Sequence, residues 1–560
     1  MNNHRSVLIA SVALSLFTLL ICLSHHTLSQ DVKRPLPENW NGVVEGARFI
    51  DRFQPIHLMG LLTDKTWGAE EVIPRSIQNG IEDSTWSYWG GNITQDSTGL
   101  YHQYVCRWLE DSPKGHMEWP RSEVIHATAS HPLGPFTVKD IIGKGHNPEI
   151  IKLKNDGYAV FVNKAYYTSP SLWGPWQQKT PSFDARQRPI QEHMSNLTFA
   201  QREDGSQLMI CRGGGVWISQ TGLPPYYQIT SKSAYPPFEG KYEDPVVWRT
   251  NIQYHMIVND WLGRIAYYLR SKDGLEWKLE PGEAYTPGIA TYEDGTKVDW
   301  YKYERIKILQ DEYGRAYQAN FAVCDTIKRQ DKGNDHHSSK NIGIPLIKGR
   351  LLSILNDEPI TKDTKQIKVL VKSEVDFDPH RDFDLKSLRF GSSDEVNYGR
   401  GSKLIKTQKT GKDIILIFDG IGNGLNDTHF AAKLLGKTKK GKMLFGYSKL
   451  PGVKYIEPMI SCLHPEISGI SKHNSIVKLE VQNFGQVTSP KTPLSIEYLS
   501  GQQWKPIAKS SIDSLAPYQK TVLTLPSRFH GNYNASIQIR VMITQDSGKK
   551  ELINGPVILR

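Results

Sequence analysis

His146-Asn147-Pro148-Glu149, the hairpin residues Asn155-Asp156-Gly157 and the apolar run Tyr158 to Val162 form one copy of a unit that this chain repeats. The unit opens on a short turn, runs through one strand, reverses at a glycine-containing hairpin and returns in a second strand. Other copies open at Gly91-Asn92-Ile93-Thr94, Ser195-Asn196-Leu197-Thr198, Glu243-Asp244-Pro245 and Glu304-Arg305-Ile306, at a spacing of roughly 50 to 60 residues. Their hairpins read Asp96-Ser97-Thr98-Gly99, Glu203-Asp204-Gly205 and Asp311-Glu312-Tyr313-Gly314. β-forming residues follow, as in Tyr101 to Val105, Gln207 to Ile210 and Tyr317 to Val323. Cys106, Cys211 and Cys324 fall at the end of the second strand of their units, which supports the register independently of the turns.

Units of this length and strand content are the blades of a β-propeller. Further strands fit the scheme: Ser122-Glu123-Val124-Ile125-His126 runs into Leu133-Gly134-Pro135-Phe136, and Ser169 into Leu172-Trp173-Gly174-Pro175-Trp176. The predicted fold is all-β, with a propeller of five counted blades, and seven as the upper count, over residues 30–350. A small β-sandwich is expected over residues 351–463, where the apolar strand Asp413 to Asp419 meets a glycine-rich turn. Alternating strands at Ser475 to Gln482, Leu494 to Tyr498 and Lys520 to Leu525 predict an immunoglobulin-like module over residues 464–560, with a spacing or docking role.

Residues 1–29 read as a secretory signal peptide: a basic end, an apolar run and a polar, small-residue stretch. No second apolar run is long enough to span a bilayer, so no membrane partner is expected beyond the export signal. The destination is therefore an exported one: periplasm, cell surface or medium. The cysteines are widely separated and show no CxxC pattern, which points to buried small hydrophobes rather than a disulfide framework.

Lys plus Arg exceed Asp plus Glu by 68 to 58, a net charge of +10. The excess is spread along the chain rather than gathered in a basic block, which argues against a nucleic-acid partner. An exported basic protein rich in aromatics, here 25 Tyr and 14 Trp, suits an anionic polysaccharide or oligosaccharide.

In the tandem of Ser-Glu-Val-Ile-His, Gly-Pro-Phe, His-Asn-Pro and Glu-Asp-Pro motifs the chain resembles five-bladed propeller glycosidases. That resemblance implies two catalytic carboxyl groups and a third that tunes the acid. It also implies that carboxylates open the first three blades, where this chain reads Asn92, Asn147 and Asn196. Amides do not transfer protons at neutral pH, so the acids left to a hydrolase are Glu149, Glu243, Asp244 and Glu304.

The chain also resembles propeller ulvan lyases and the related ulvan oligosaccharide dehydratases. That likeness implies paired histidines, His126 and His146, facing a uronate, and Arg212 binding its carboxylate. β-Elimination at a uronic acid needs a base for the C5 proton, an acid for the departing O4 and a cation for the charge that develops. The expected catalytic residues are His126, His146 and His193, the last standing where the lyases place a tyrosine. The expected substrate-binding residues are Arg212, Asn147, Asn196 and Tyr242. The leading expectation is thus a carbon–oxygen lyase on ulvan-type glycans, with a glycoside hydrolase as the alternative and a non-catalytic glycan-binding protein third. No cofactor is expected to be required. His255, Cys324, His336 and His337 carry zinc-compatible atoms but match no fixed zinc spacing.

Overall fold

The computed structural model describes residues 31–333, 335, 337, 339–469, 475–545 and 548–560. The expected signal peptide and His336 lie outside the described residues. Five antiparallel sheets succeed one another between residues 86 and 345. The first is Trp86–Gln95, Tyr101–Leu109, Glu123–Ala129 and Thr137–Lys144, and the second is Glu149–Lys152, Tyr158–Val162, Ala165–Ser169 and Gln177–Lys179. The third is Thr198–Gln201, Gln207–Ile210, Val216–Ser219 and Tyr226–Gln228, with Phe183–Asp184 added in parallel at its edge. The fourth is Tyr242–Arg249, Tyr254–Asp260, Ile265–Ser271 and Lys278–Tyr285, and the fifth is Lys302–Gln310, Ala316–Cys324 and Ser339–Pro345. These are the five blades; in blades two to five the innermost strand opens close to the turn picked out in the sequence, and in blade one that turn lies inside the strand.

Hairpin chemistry sets the blades locally. Asp156 and Gly157 both take positive φ, 67° and 83°, and so reverse the chain in the connection between the paired residues Lys152 and Tyr158. At Asp96 the carboxylate accepts from the Thr98 and Leu100 amides at 2.8 and 3.0 Å and so builds the first turn.

Closure of the ring is not local. The last strand of blade five finds its outer partner in the segment before blade one, where Ile81 bridges Asn341. Asn79 donates to the Gly343 carbonyl and accepts from the Gly343 amide, each at 3.0 Å. The apolar core is correspondingly a set of seams between blades. Phe161, Phe199, Met209, Trp217 and Tyr226 join blades two and three, and Val247, Met256, Tyr267 and Leu208 join three and four. Trp217 is fully buried, and truncating such a residue to Ala costs about 3–5 kcal/mol.

Residues 350–449 hold seven strands in one closed ring: Arg350–Ile354, Gln366–Val371, Asp413–Asp419, Ser402–Thr410, Arg389–Gly391, Ala431–Lys437 and Met443–Lys449. The edges of the expected sandwich are joined because Arg350–Ile354 pairs parallel with Met443–Lys449 and antiparallel with Gln366–Val371. The C-terminal module packs two four-stranded sheets around Val477, Leu479, Ile496, Val541 and their neighbours.

Three arginines of blade three bind this module. Arg186 donates to Ser461 and pairs with Glu480, and Arg188 donates to the Cys462 and Leu552 carbonyls. Arg202 reaches the Phe484 carbonyl at 2.9 Å and the Tyr518 hydroxyl at 3.2 Å. Among the described residues no helix is long and apolar enough to cross a membrane.

Candidate active site

Near the start of each innermost strand one residue takes the left-handed region: Gly90 (φ 63°), Asn147 (55°), Asn196 (50°), Asp244 (54°) and Arg305 (51°). Asn and Asp tolerate this conformation, and in blades one, four and five it coincides with a bulge, between Trp89 and Asn92, Glu243 and Val246, and Glu304 and Lys307. The bulges turn these side chains onto the axis, where they form a buried ring. Asn147 donates to Asn196 at 2.8 Å, Asn196 donates to Asp244 at 2.9 Å, and Arg305 donates to Asp244 at 3.1 Å. Blade one contributes only Gly90, whose added Cβ would stand 3.1 Å from the Asn147 amide oxygen and 3.7 Å from Arg305 Nε.

The ring corrects one sequence expectation. Asn92 is not the blade-one counterpart of Asn147. The bulge displaces it deeper, where it brackets the Ile150 backbone at 2.8 and 3.0 Å. At that depth Glu149 accepts from Thr198 and the Phe199 amide and pairs with Lys307, both charges being buried. Burial depresses Lys307 to about 8 against the pull of Glu149. Asn147 and Asn196 therefore serve as members of the axial ring, each less than a tenth exposed.

One residue earlier in each strand lies the shell above the ring: Trp89, His146, Ser195, Glu243 and Glu304. Glu243 accepts from Asn196 at 2.8 Å and pairs with Arg212 at 3.3 Å. Burial, then the neighbouring charges of Asp244 and Glu304, push its carboxyl up to about 7, against the opposite pull of Arg212 and Lys328. Glu304 lies between two ammonium groups, in contact with Lys328 on one oxygen and 3.9 Å from Lys302 on the other. Burial opposes the charge on Lys328, but Glu304, Cys324 and Glu243 outweigh it and hold the ammonium above its ordinary range. Lys328 also stands 4.4 Å over the Trp89 ring. The side chains reaching solvent here are Glu192, Arg212, Lys328 and Glu243, 51, 30, 29 and 23% exposed.

The predicted imidazoles do not converge on this mouth. His126 is completely buried on the third strand of blade one, two strands out from the axis. It lies parallel to His102 with ring centroids 5.0 Å apart, is 2.8 Å from His102 Nδ1, and meets Trp173 of blade two edge-on. Burial and then His102 depress it to about 4. His146 is beside the axis but enclosed by Trp119, Trp108, Ser122 and Cys106, and burial, with Arg305 and Lys328, holds its pKa well below the usual histidine range. Both side chains pack the wall instead of facing the mouth; for His126, alternation along its strand directs the side chain toward Trp173 of the neighbouring blade.

His193 is exposed on the loop before blade three, next to Glu192. Glu192 and Glu243 both hold Arg212, at 3.0 and 3.3 Å. The Tyr242 phenol is turned back to the Phe238 carbonyl at 3.0 Å and its ring packs on Tyr235 and Tyr267, so it does not enter the mouth. The zinc-compatible atoms are dispersed: His255 begins the second strand of blade four and Cys324 ends that of blade five, at opposite faces of the ring. Among the described residues no group of three or more metal-ligating side chains is present. Lys328 carries no signal in the sequence, since it lies in a loop outside the repeated units.

No family model matches the chain, and no curated protein does. Among solved structures it is similar to a thermostable family-43 glycoside hydrolase, at 14% identity and TM-score 0.32, over 51% of this chain and 93% of that one. It is also similar to an endo-arabinase from Bacteroides thetaiotaomicron VPI-5482, at 11% identity and TM-score 0.30, over 48% of this chain and 97% of that one. A third, described as a glycoside hydrolase, is 10% identical with TM-score 0.33 and aligns over 84% of this chain and 97% of that one.

Proposed function

We propose that this protein is a glycan-cleaving hydrolase whose acid and base come from blades four and five. The observation that carries the reading is the pair Glu243 and Glu304, two carboxyl groups at adjacent innermost-strand starts, one beside the Asp244 carboxyl and the other between two lysines. A group that keeps its proton near neutrality suits the acid that protonates a departing glycosidic oxygen, which assigns that role to Glu243. Glu304, with its charge balanced by Lys302 and Lys328, suits the carboxylate that takes a proton from the attacking water. Arg212, bound to Glu192 and Glu243, orients the acid. Its guanidinium is already shared by two carboxylates, which weighs against a dedicated uronate clamp.

Exported action on an ulvan-type or other acidic glycan by β-elimination is the second reading, and one observation favours it: exposed His193 adjoins Glu192, which holds Arg212. The test is product analysis on neutral and uronate-bearing oligosaccharides. New reducing ends with uptake of water, lost in Glu243→Gln and in Glu304→Gln, are the expected result. A product absorbing as a conjugated uronate, formed equally by both variants and lost in His193→Ala, would overturn it in favour of elimination.

A further inference from the structure

At the face of the propeller opposite Glu243, blades four and five meet the seven-stranded ring around a cavity of about 510 Å³. Its walls are largely apolar, with Trp248, Ile252, Ile347, Leu351 and Phe445 among them, and Arg52 is set into the wall. Arg52 is 5% exposed and its guanidinium lies 4.0, 4.6 and 5.0 Å from the ring centres of Phe445, Phe49 and Tyr268. Among the described residues it has no ion pair, and its Nε has no hydrogen-bond acceptor.

The carboxylates around it are committed elsewhere. Asp51 binds Arg48 and the Gly46 and Arg48 amides, and Glu280 binds Arg270 and Asn397. Glu374 is shared by Arg315 and Arg350, and Asp413 pairs with Lys372. A buried cation needs a counter-charge that ring faces only partly replace. Lys412, exposed at the rim, adds positive charge and no free carboxylate opposes it.

We propose that this cavity binds an amphipathic organic anion, its carboxylate on Arg52 and its apolar body against Trp248, Ile347 and Leu351. A cavity of this size, largely apolar and with a few convergent cationic groups, is the usual form of a small-molecule site. The proposal is independent of the chemistry at Glu243, because the cavity lies beyond the other end of the innermost strands, near Thr250 and Tyr313.

Titration calorimetry of the full chain with decanoate and with decanol tests it. Decanoate is expected to bind one to one and at least about tenfold more tightly than decanol, a difference that Arg52→Gln abolishes. Ile347→Trp, which fills the cavity with a larger apolar side chain and keeps Arg52, is expected to abolish binding of both. Equal affinity for decanoate and decanol overturns the proposal, as does decanoate binding that survives Ile347→Trp. If Arg52→Gln does not fold, the decanoate to decanol ratio and the Ile347→Trp result decide.

Discussion

Replacing Glu243 by Gln is expected to make the protein more stable at alkaline pH and to leave stability almost unchanged at acid pH. The carboxyl moves from an ordinary value of 4.5 to about 7 on folding. Each tenfold change in proton affinity is worth about 1.4 kcal/mol, so the ionised form carries a penalty of about 3 kcal/mol in the folded protein. For an acid whose folded pKa lies above the unfolded one, the cost is absent below pH 4.5, where both states keep the proton. It grows as pH rises toward 7, because the unfolded chain releases the proton and the folded one retains it, and it is constant above. Gln keeps the acceptor that Asn196 uses, and the attraction of Arg212 for the charged form is already contained in the value of about 7. The net gain at pH 8 is therefore about 3 kcal/mol. Paired urea titrations at pH 4.5 and pH 8, followed by tryptophan fluorescence, measure it. A difference between variant and wild type that is the same at both pH values refutes the reasoning. Wild-type turnover should fall as pH rises through about 7, as the acid loses its proton.

Lys307→Met leaves Glu149 buried without its cation and should cost about 3–5 kcal/mol, read as a lowered denaturation midpoint. His126→Leu should cost about 1–3 kcal/mol, because it strands the buried His102 nitrogen, and should leave turnover intact; loss of turnover in a folded variant would restore His126 to the chemistry. Asn79→Ala leaves the Gly343 amide and carbonyl unpaired in the closing seam and should destabilise by about 2–4 kcal/mol, with faster hydrogen exchange along Ser339–Pro345 than in blades two and three.

The blades were readable because their punctuation is local. Asp156-Gly157 and the left-handed Asn147, Asn196 and Asp244 carry their backbone preference in their own side chains. The closures were not, because Asn79 with Gly343 and Arg350–Ile354 with Met443–Lys449 join segments far apart in the chain. Within the site, Glu243, Glu304 and Arg212 could be found from their positions at strand starts and ends. The error lay in His126: strand alternation shows that a residue points sideways, but whether it meets the axis or the next blade depends on which strand of the sheet it occupies. The displacement of Asn92 by the bulge at Gly90 and Gly91 is a similar case, since one extra residue shifts every later side chain by a layer.

The three arginines that blade three buries in the C-terminal module make that module a splint. A domain on a loose string would let the axial face of the propeller swivel; one clamped through the backbone carbonyls of Cys462, Phe484 and Leu552 presents it at a set bearing. Any surface the module adheres to would thus hold the mouth of the ring at one angle to whatever lies upon that surface.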